Sequence, residues 1–279
     1  MERKILKMIL TLLLTCIICT GIFAKDIIYV SARGNDENTG LSETMPMKTL
    51  SAALSRSVQN NISTITIIGR LDINSEGGNR SSVFLLSANN QSEILITGKQ
   101  NARGAERAVL SALGTSYAVM STDNVKIRFE NIEISGGSGE YGVGLYVLEK
   151  AQITLGEGAV VRDNIKFGVL VSNEGAIFIM DGGEVRNNND CGVFVSDGSI
   201  FYMNSGNITE NSAQMAAGVF VSSDARFEMS GGSITRNRAS GAVGGVLVFN
   251  GGIFIQTGGN IRNNTAGRRD IDANIHRMR

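Results

Sequence analysis

The stretch FEMSGGSITRN, residues 227 to 237, has three relatives in the same chain: FIMDGGEVRNN from Phe178, FYMNSGNITEN from Phe201 and FIQTGGNIRNN from Phe254. A second string precedes each of them. GLYV begins at Gly144, GVLV at Gly168, GVFV at Gly192 and again at Gly218, and GVLV at Gly245, so the steps are 24, 24, 26 and 27 residues. Repetition at this period marks a stacked repeat architecture. Within one unit, GVFVS, SIFYM and NIT are short strands separated by Gly, Ser, Asn and Asp, with no helical stretch between them. A propeller blade would need four strands and a longer period. The pattern therefore predicts an all-β fold, a right-handed parallel β-helix with three strands per coil.

Coils stack about 4.8 Å apart, so like positions form columns along the axis, and five aligned coils make a rod of about 25 Å. Alternation within each strand selects the inward columns. They are Val169/Val171, Val193/Val195, Val219/Val221 and Val246/Val248, then Phe178/Met180, Phe201/Met203, Phe227/Met229 and Phe254/Gln256. A third inward column reads Val160, Val185, Ile208, Ile234 and Ile261, and Asp163, Asn188, Asn211, Asn237 and Asn264 close the coils. The paired glycines then have a turn role, since a corner between short strands requires positive φ or close backbone approach. Asparagine tolerates the left-handed region next best, and its amides can bond from coil to coil. A feature repeated in every coil reports structure; a catalytic site is expected once.

Residues 1–24 have a charged start (Arg3, Lys4, Lys7), an apolar run from Met8 to Cys19 and a small residue, Ala24, before Lys25. This is the layout of a secretory signal peptide, too short for a transmembrane helix. Lipidation at Cys16 or Cys19 is poorly matched by the residues just before each. Without Arg3, Lys4, Lys7 and Glu2, the 26 basic and 26 acidic residues become 23 and 25. That balance gives no footprint for nucleic acid. Only Cys191 lies beyond the leader, so no internal disulfide is expected and the core must supply the stability. No later apolar run is long enough to span a bilayer.

Residues 25–61 read as an N-terminal strand, a polar loop at 35–40 and a helix from Thr49 to Val58 with Leu50, Leu54 and Val58 on one stripe. An open first coil needs such a cap. Residues 62–279 read as the β-helix, irregular over 62–73, 83–97 and 107–135 and regular over about 142–266, with a charged end, GRRDIDANIHRMR.

The segment IYVSARGNDENTGLSETMPMKTLSAAL (residues 28 to 54), followed by GG-x-I-x-x-N coils, resembles the pectate-lyase-like β-helix superfamily and bacterial surface β-helix repeats of the adhesin and passenger type. Met47 stands where an aromatic is usual. The resemblance implies export and, for its enzymes, polysaccharide lyases with acidic calcium ligands and an Arg or Lys base, or hydrolases with paired aspartates. Glu174, Asp197 and Asp224 could supply the acids and Arg162, Arg186, Arg236 or Arg262 the base, but the two sets fall at different turns and match no lyase motif. Calcium enters only under that reading, and no other cofactor is expected. The string GSGEYG (137–142) leads into a strand, so no helix N-terminus follows to hold a pyrophosphate. The single histidine, His276, cannot build a triad or a multi-histidine zinc site. Cys191, beside a glycine at a coil start, reads as a small core residue.

The outward positions are more informative. Tyr146, Leu170, Phe194, Phe220 and Leu247 form one outward apolar column; Ile177/Ile179, Ile200/Tyr202 and Ile253/Ile255 form another, interrupted by Arg226/Glu228. Apolar stripes of this extent indicate a ligand groove, a covering partner or self-association. The leading expectation is a secreted or cell-surface protein that binds a polysaccharide or a surface protein through Tyr146, Phe194, Phe220 and Tyr202. The alternatives are a calcium-dependent polysaccharide lyase and a purely structural surface or passenger module.

Overall fold

The computed structural model describes residues 27–73, 84–85, 92–99, 107–112, 118–138, 142–267 and 272–278. The leader (1–24) and part of GSGEYG (139–141) lie outside the described residues. The chain forms a parallel β-solenoid: among the described residues the strand pairings are parallel, and all but a short separate ladder of Ser212–Ala213 with Arg238–Ala239 run along three walls. The first wall carries the GVFV strands, from Phe84–Leu85 through Val143–Leu148, Phe167–Ser172, Cys191–Val195, Val219–Val221 and Val246–Val248 to Ile275–Arg277. The second runs from β1 (Ile27–Ser31) through Thr64–Ile68, Ile94–Gly98, Lys126–Glu130 and Gln152–Leu155 to Ile253–Gln256. The third runs from Arg70–Asp72 to Asn260–Arg262. Two long strands, Ile177–Arg186 and Ile200–Thr209, turn the corner and serve the second and third walls, with register shifts around Asp181.

The stretches 62–73, 83–97 and 107–135 were expected to be irregular. Where described, they are strands in register with the later repeats: Ile65 sits opposite Ile96, Ile94 opposite Ile127, and Leu110 opposite Ile134. They lack the GVFV string but keep the inward alternation, which is what burial selects. The second wall thus extends from β1 to Gln256, and its eight inter-strand steps make a rod of about 40 Å.

The expected inward columns are buried, with Val169, Val171, Phe178, Met180, Phe201, Met203 and Phe227 all at 0 % exposure, except at the C-terminal end. There Gln256, expected inward, is exposed and Ile261 is half-buried, because among the described residues the last coil has no following coil on these walls to cover it. Phe178, Phe201, Phe227 and Phe254 stack one on the next along the axis, at 5.1, 4.6 and 4.8 Å between ring centres. The third column contains a correction. Val161, not Val160, pairs with Val185 and faces inward, while Val160 stands opposite Glu184. Leu155 pairs with Met180 but Val161 with Val185, six residues on against five, so this corner holds one extra residue. The same slip moves the coil-closing position from Asp163 to Asn164.

Asn164, Asn188, Asn211, Asn237, Asn264 and Asn274 form a continuous ladder. Each Nδ2 donates to the Oδ1 of the next, at 2.8, 2.9, 2.9, 3.1 and 3.2 Å. The backbone N–H of each also donates to that oxygen, so a buried corner is fully hydrogen bonded. These asparagines do not themselves adopt the left-handed region. The residue before each of the first five does: Asp163, Asn187, Glu210, Arg236 and Asn263 have φ of 55, 54, 59, 58 and 57°. At the preceding corner Gly232 has φ of 78°, and a Cβ there would lie 2.7 Å from the Gly206 carbonyl oxygen, so glycine is required twice over.

The N-terminal end is closed by helix α1 (Leu50–Asn60), capped by Thr49, whose hydroxyl accepts from the Ala52 N–H at 3.2 Å. Asp36 fixes that start: its carboxylate accepts from Lys48 N–H (2.8 Å), Thr49 N–H (2.9 Å) and Thr49 Oγ1 (2.9 Å). Leu50, Ala53, Leu54 and Ser57 face the core. Val58, expected on that stripe, is exposed; Ser57 takes the inward place because its hydroxyl donates to the Ile62 carbonyl. At the other end Ile275–Arg277 adds a last strand to the first wall, and the Arg277 guanidinium lies 5.8 Å from the Phe254 ring centre.

Candidate functional site

Outward residues of the first wall lie in hydrogen-bonded register: Tyr146 beside Leu170, Leu170 beside Phe194, Phe194 beside Phe220 and Phe220 beside Leu247. The first four are half-buried. Leu247, expected at the surface, is fully buried, because the segments between the asparagine corner and the next GVFV strand lengthen towards the C-terminus. Asn188 is followed by Gly192, but Asn211 by Gly218 and Asn237 by Gly245. The longer segments stack on each other through Ser212–Ala213 with Arg238–Ala239, and Ala216, Ala242 and Val243 pack with Leu247, Phe220 and Met278 in a small side core.

The apolar column is widened by residues that alternation did not select. Phe167 stacks on Phe194 at 5.2 Å and 24°, Phe220 meets Phe194 at 5.0 Å and 47°, and Phe249 lies 6.4 Å from Phe220. Ile165 and Met215 stand exposed, at 48 % and 44 %. Phe167 is the first residue of its strand, and Phe249 follows Val246–Val248 on the same outward parity as Leu247. Phe194, held between two rings, has little free face for a sugar; the ribbon presents a continuous apolar surface instead. Tyr146 closes it on the N-terminal side, and burial, then the Asp197 carboxylate, raises its phenol above the ordinary value.

Tyr202 does not join this group. It lies on the second wall between Ile179 and Glu228, with Ile177 and Ile200 alongside and the Arg226–Glu228 ion pair beyond.

The charged residues are placed by the corners. Asp197 (φ 56°) and Asp224 (φ 60°) occupy left-handed corner positions, and Asp197 Oδ2 accepts from Ser172 Oγ at 2.7 Å and Ser196 Oγ at 2.8 Å. Among the described residues no group of three or more His, Cys, Asp or Glu side chains is gathered closely enough to hold a metal ion. On the third wall Arg162 pairs with Glu133 (2.9 Å) and Asp163, Arg186 with Glu184 (3.1 Å), and Arg236 with Glu210 (3.1 Å). Cys191 is buried with its thiol donating to the Val193 carbonyl at 3.3 Å, and burial pushes its pKa up, so no thiolate nucleophile forms there. His276 lies in the last strand of the first wall opposite Leu247. No described helix is long and apolar enough to cross a membrane.

These features define a β-solenoid with an apolar outer ribbon and paired charges at its corners. No family model matches the sequence, and neither the curated proteins nor the solved structures contain a significant match.

Proposed function

We propose that the chain is an exported surface protein of the pectate-lyase-like β-helix type, which binds another surface protein through the outer face of its first wall. One observation carries the reading: Tyr146, Leu170, Phe194 and Phe220 lie in register on the outer face of a sheet, half-buried and flanked by Phe167 and Phe249, with the side core backing only the Phe220 end. A flat, half-exposed apolar ribbon is the usual chemistry of a protein-binding surface. The mutual stacking of the phenylalanines favours a protein partner over a glycan. Export is supported by the charged and apolar layout of residues 1–24. The superfamily kinship is supported by the way Asp36, in the Gly-Asn-Asp loop, ties that loop to the Lys48–Thr49 helix start.

The test is site-directed photo-crosslinking on intact producing cells, with a photoreactive residue at position 170. A discrete adduct is expected, and it should vanish in Phe194→Ser/Phe220→Ser while export and thermal stability persist. No adduct at 170, or an equal one from position 33 in the N-terminal loop, would sink the reading.

A further inference from the structure

The third wall changes character towards its C-terminal end. In its middle coils each arginine is neutralised: Arg162 by Glu133 and Asp163, Arg186 by Glu184. In the last two coils three arginines line two adjoining recesses, and Arg236 and Arg262 share the first of them, a groove. It is about 230 Å³ in volume, its lining includes Asn207, Thr209, Ser233, Thr235, Arg236 and Arg262, and Glu184 lines its far end. It adjoins a wider recess of about 680 Å³ lined by Arg238, Ser240 and Thr265, and Arg236 and Asn263 line both.

Arg238 and Arg262 are exposed and have no ion-pair partner among the described residues. Arg236 shares Glu210 in a pair whose side chains are 63 % and 46 % exposed, an arrangement that holds little energy in water. Two further observations single out the place. Thr209, 7 % exposed, lines the groove, and its hydroxyl has no hydrogen-bond partner. Arg236 occupies a left-handed corner (φ 58°) between Glu210 (φ 59°) and Asn263 (φ 57°) of the adjoining coils, and it places the one cation of that corner column at the groove.

We infer that this groove binds sulfate or phosphate groups carried on a polymer. A tetrahedral oxyanion offers three or more acceptor oxygens, which suits guanidinium groups of adjoining coils together with the hydroxyls of Ser233, Thr235 and Thr265 that line the same two recesses. A carboxylate, with two oxygens in one plane, matches a single guanidinium fork. The open shape fits a chain lying across the coils and not a small enclosed ligand. The groove lies on the third wall and the adjoining recess on the lengthened segments beyond the asparagine corner; no residue of the apolar ribbon lines either, so the site stands or falls independently of the proposed protein partner.

The experiment is fluorescence anisotropy of the full chain with labelled dextran sulfate, labelled polyphosphate, labelled polygalacturonate and neutral dextran at low ionic strength. Binding of dextran sulfate, of polyphosphate or of both is expected, without binding of neutral dextran; the tighter of the two identifies the source. Arg238→Gln/Arg262→Gln should weaken it about tenfold or more with an unchanged melting temperature. Arg33→Gln/Lys150→Gln, which removes two exposed cations elsewhere, should leave it intact. Equal weakening by both double variants, no binding of either charged polymer, or tighter binding of polygalacturonate overturns the assignment.

Discussion

At the scale of single residues, the asparagine ladder shows how a buried polar column can hold the coils in register. Asn211 accepts from both the N–H and the Nδ2 of Asn188, and donates its own amide to Asn237 Oδ1 and the Val185 carbonyl. Removing its side chain leaves the Asn188 backbone N–H without its acceptor and the Val185 carbonyl without this donor, in a corner where Asn188 and Asn211 are buried. Asn211→Ala should therefore lower stability by about 2–3 kcal/mol, well above the cost of an average exposed truncation. Urea unfolding reads this as a lower midpoint at constant slope. A loss below about 0.5 kcal/mol would mean that water replaces the amide and the column is decorative. The neighbouring residue, Glu210, should tolerate Asn, since Asn suits its left-handed backbone and its pair with Arg236 is exposed.

Elements were legible from sequence wherever burial imposed a period of two, and illegible wherever a corner changed length. Val169, Phe178 and Met203 could be placed inward because a one-residue slip would turn each of them into water. Val160 was misplaced because one extra residue at the corner after Leu155 leaves no trace in the hydrophobic pattern. The outer ribbon was visible at Tyr146, Phe194 and Phe220. The burial of Leu247 was not, since the residues that cover it come from the lengthened segments of later coils and from Met278. The groove of arginines was hidden for a different reason: its meaning depends on which cations lack acidic partners, and sequence spacing does not report that. At the capping element, Asp36 and Thr49 are thirteen positions apart yet form one unit. Asp36→Ala removes three hydrogen bonds to a carboxylate and should cost about 2 kcal/mol, with the first effect seen at the N-terminal end. Hydrogen exchange should speed up in α1 and β1 before any change in the coils after residue 142. Uniform acceleration along the chain would show that the cap is not a separate cooperative element.

On the scale of the whole molecule, the solenoid is a line of units in which each coil touches only its neighbours, so position along the axis decides what a side chain contributes. Phe201 and Phe254 are the same residue in the same column. Phe201 is sandwiched between Phe178 at 5.1 Å and Phe227 at 4.6 Å and is fully buried. Phe254 has Phe227 on one side at 4.8 Å and, among the described residues, no further ring beyond it but the Arg277 guanidinium. Phe201→Ala should therefore cost about 3–5 kcal/mol, the range for a cavity in a close-packed core. Phe254→Ala should cost about half as much, because solvent and the flexible Arg277 can fill the space. The pattern of the loss matters as much as its size. In Phe201→Ala, amide exchange should accelerate on both sides, at Met180 and at Met229, as the rod weakens in the middle. In Phe254→Ala it should accelerate only beyond about residue 246. Equal losses, or the same exchange pattern in both variants, would show that the rod unfolds as one block and that nearest-neighbour coupling does not describe it.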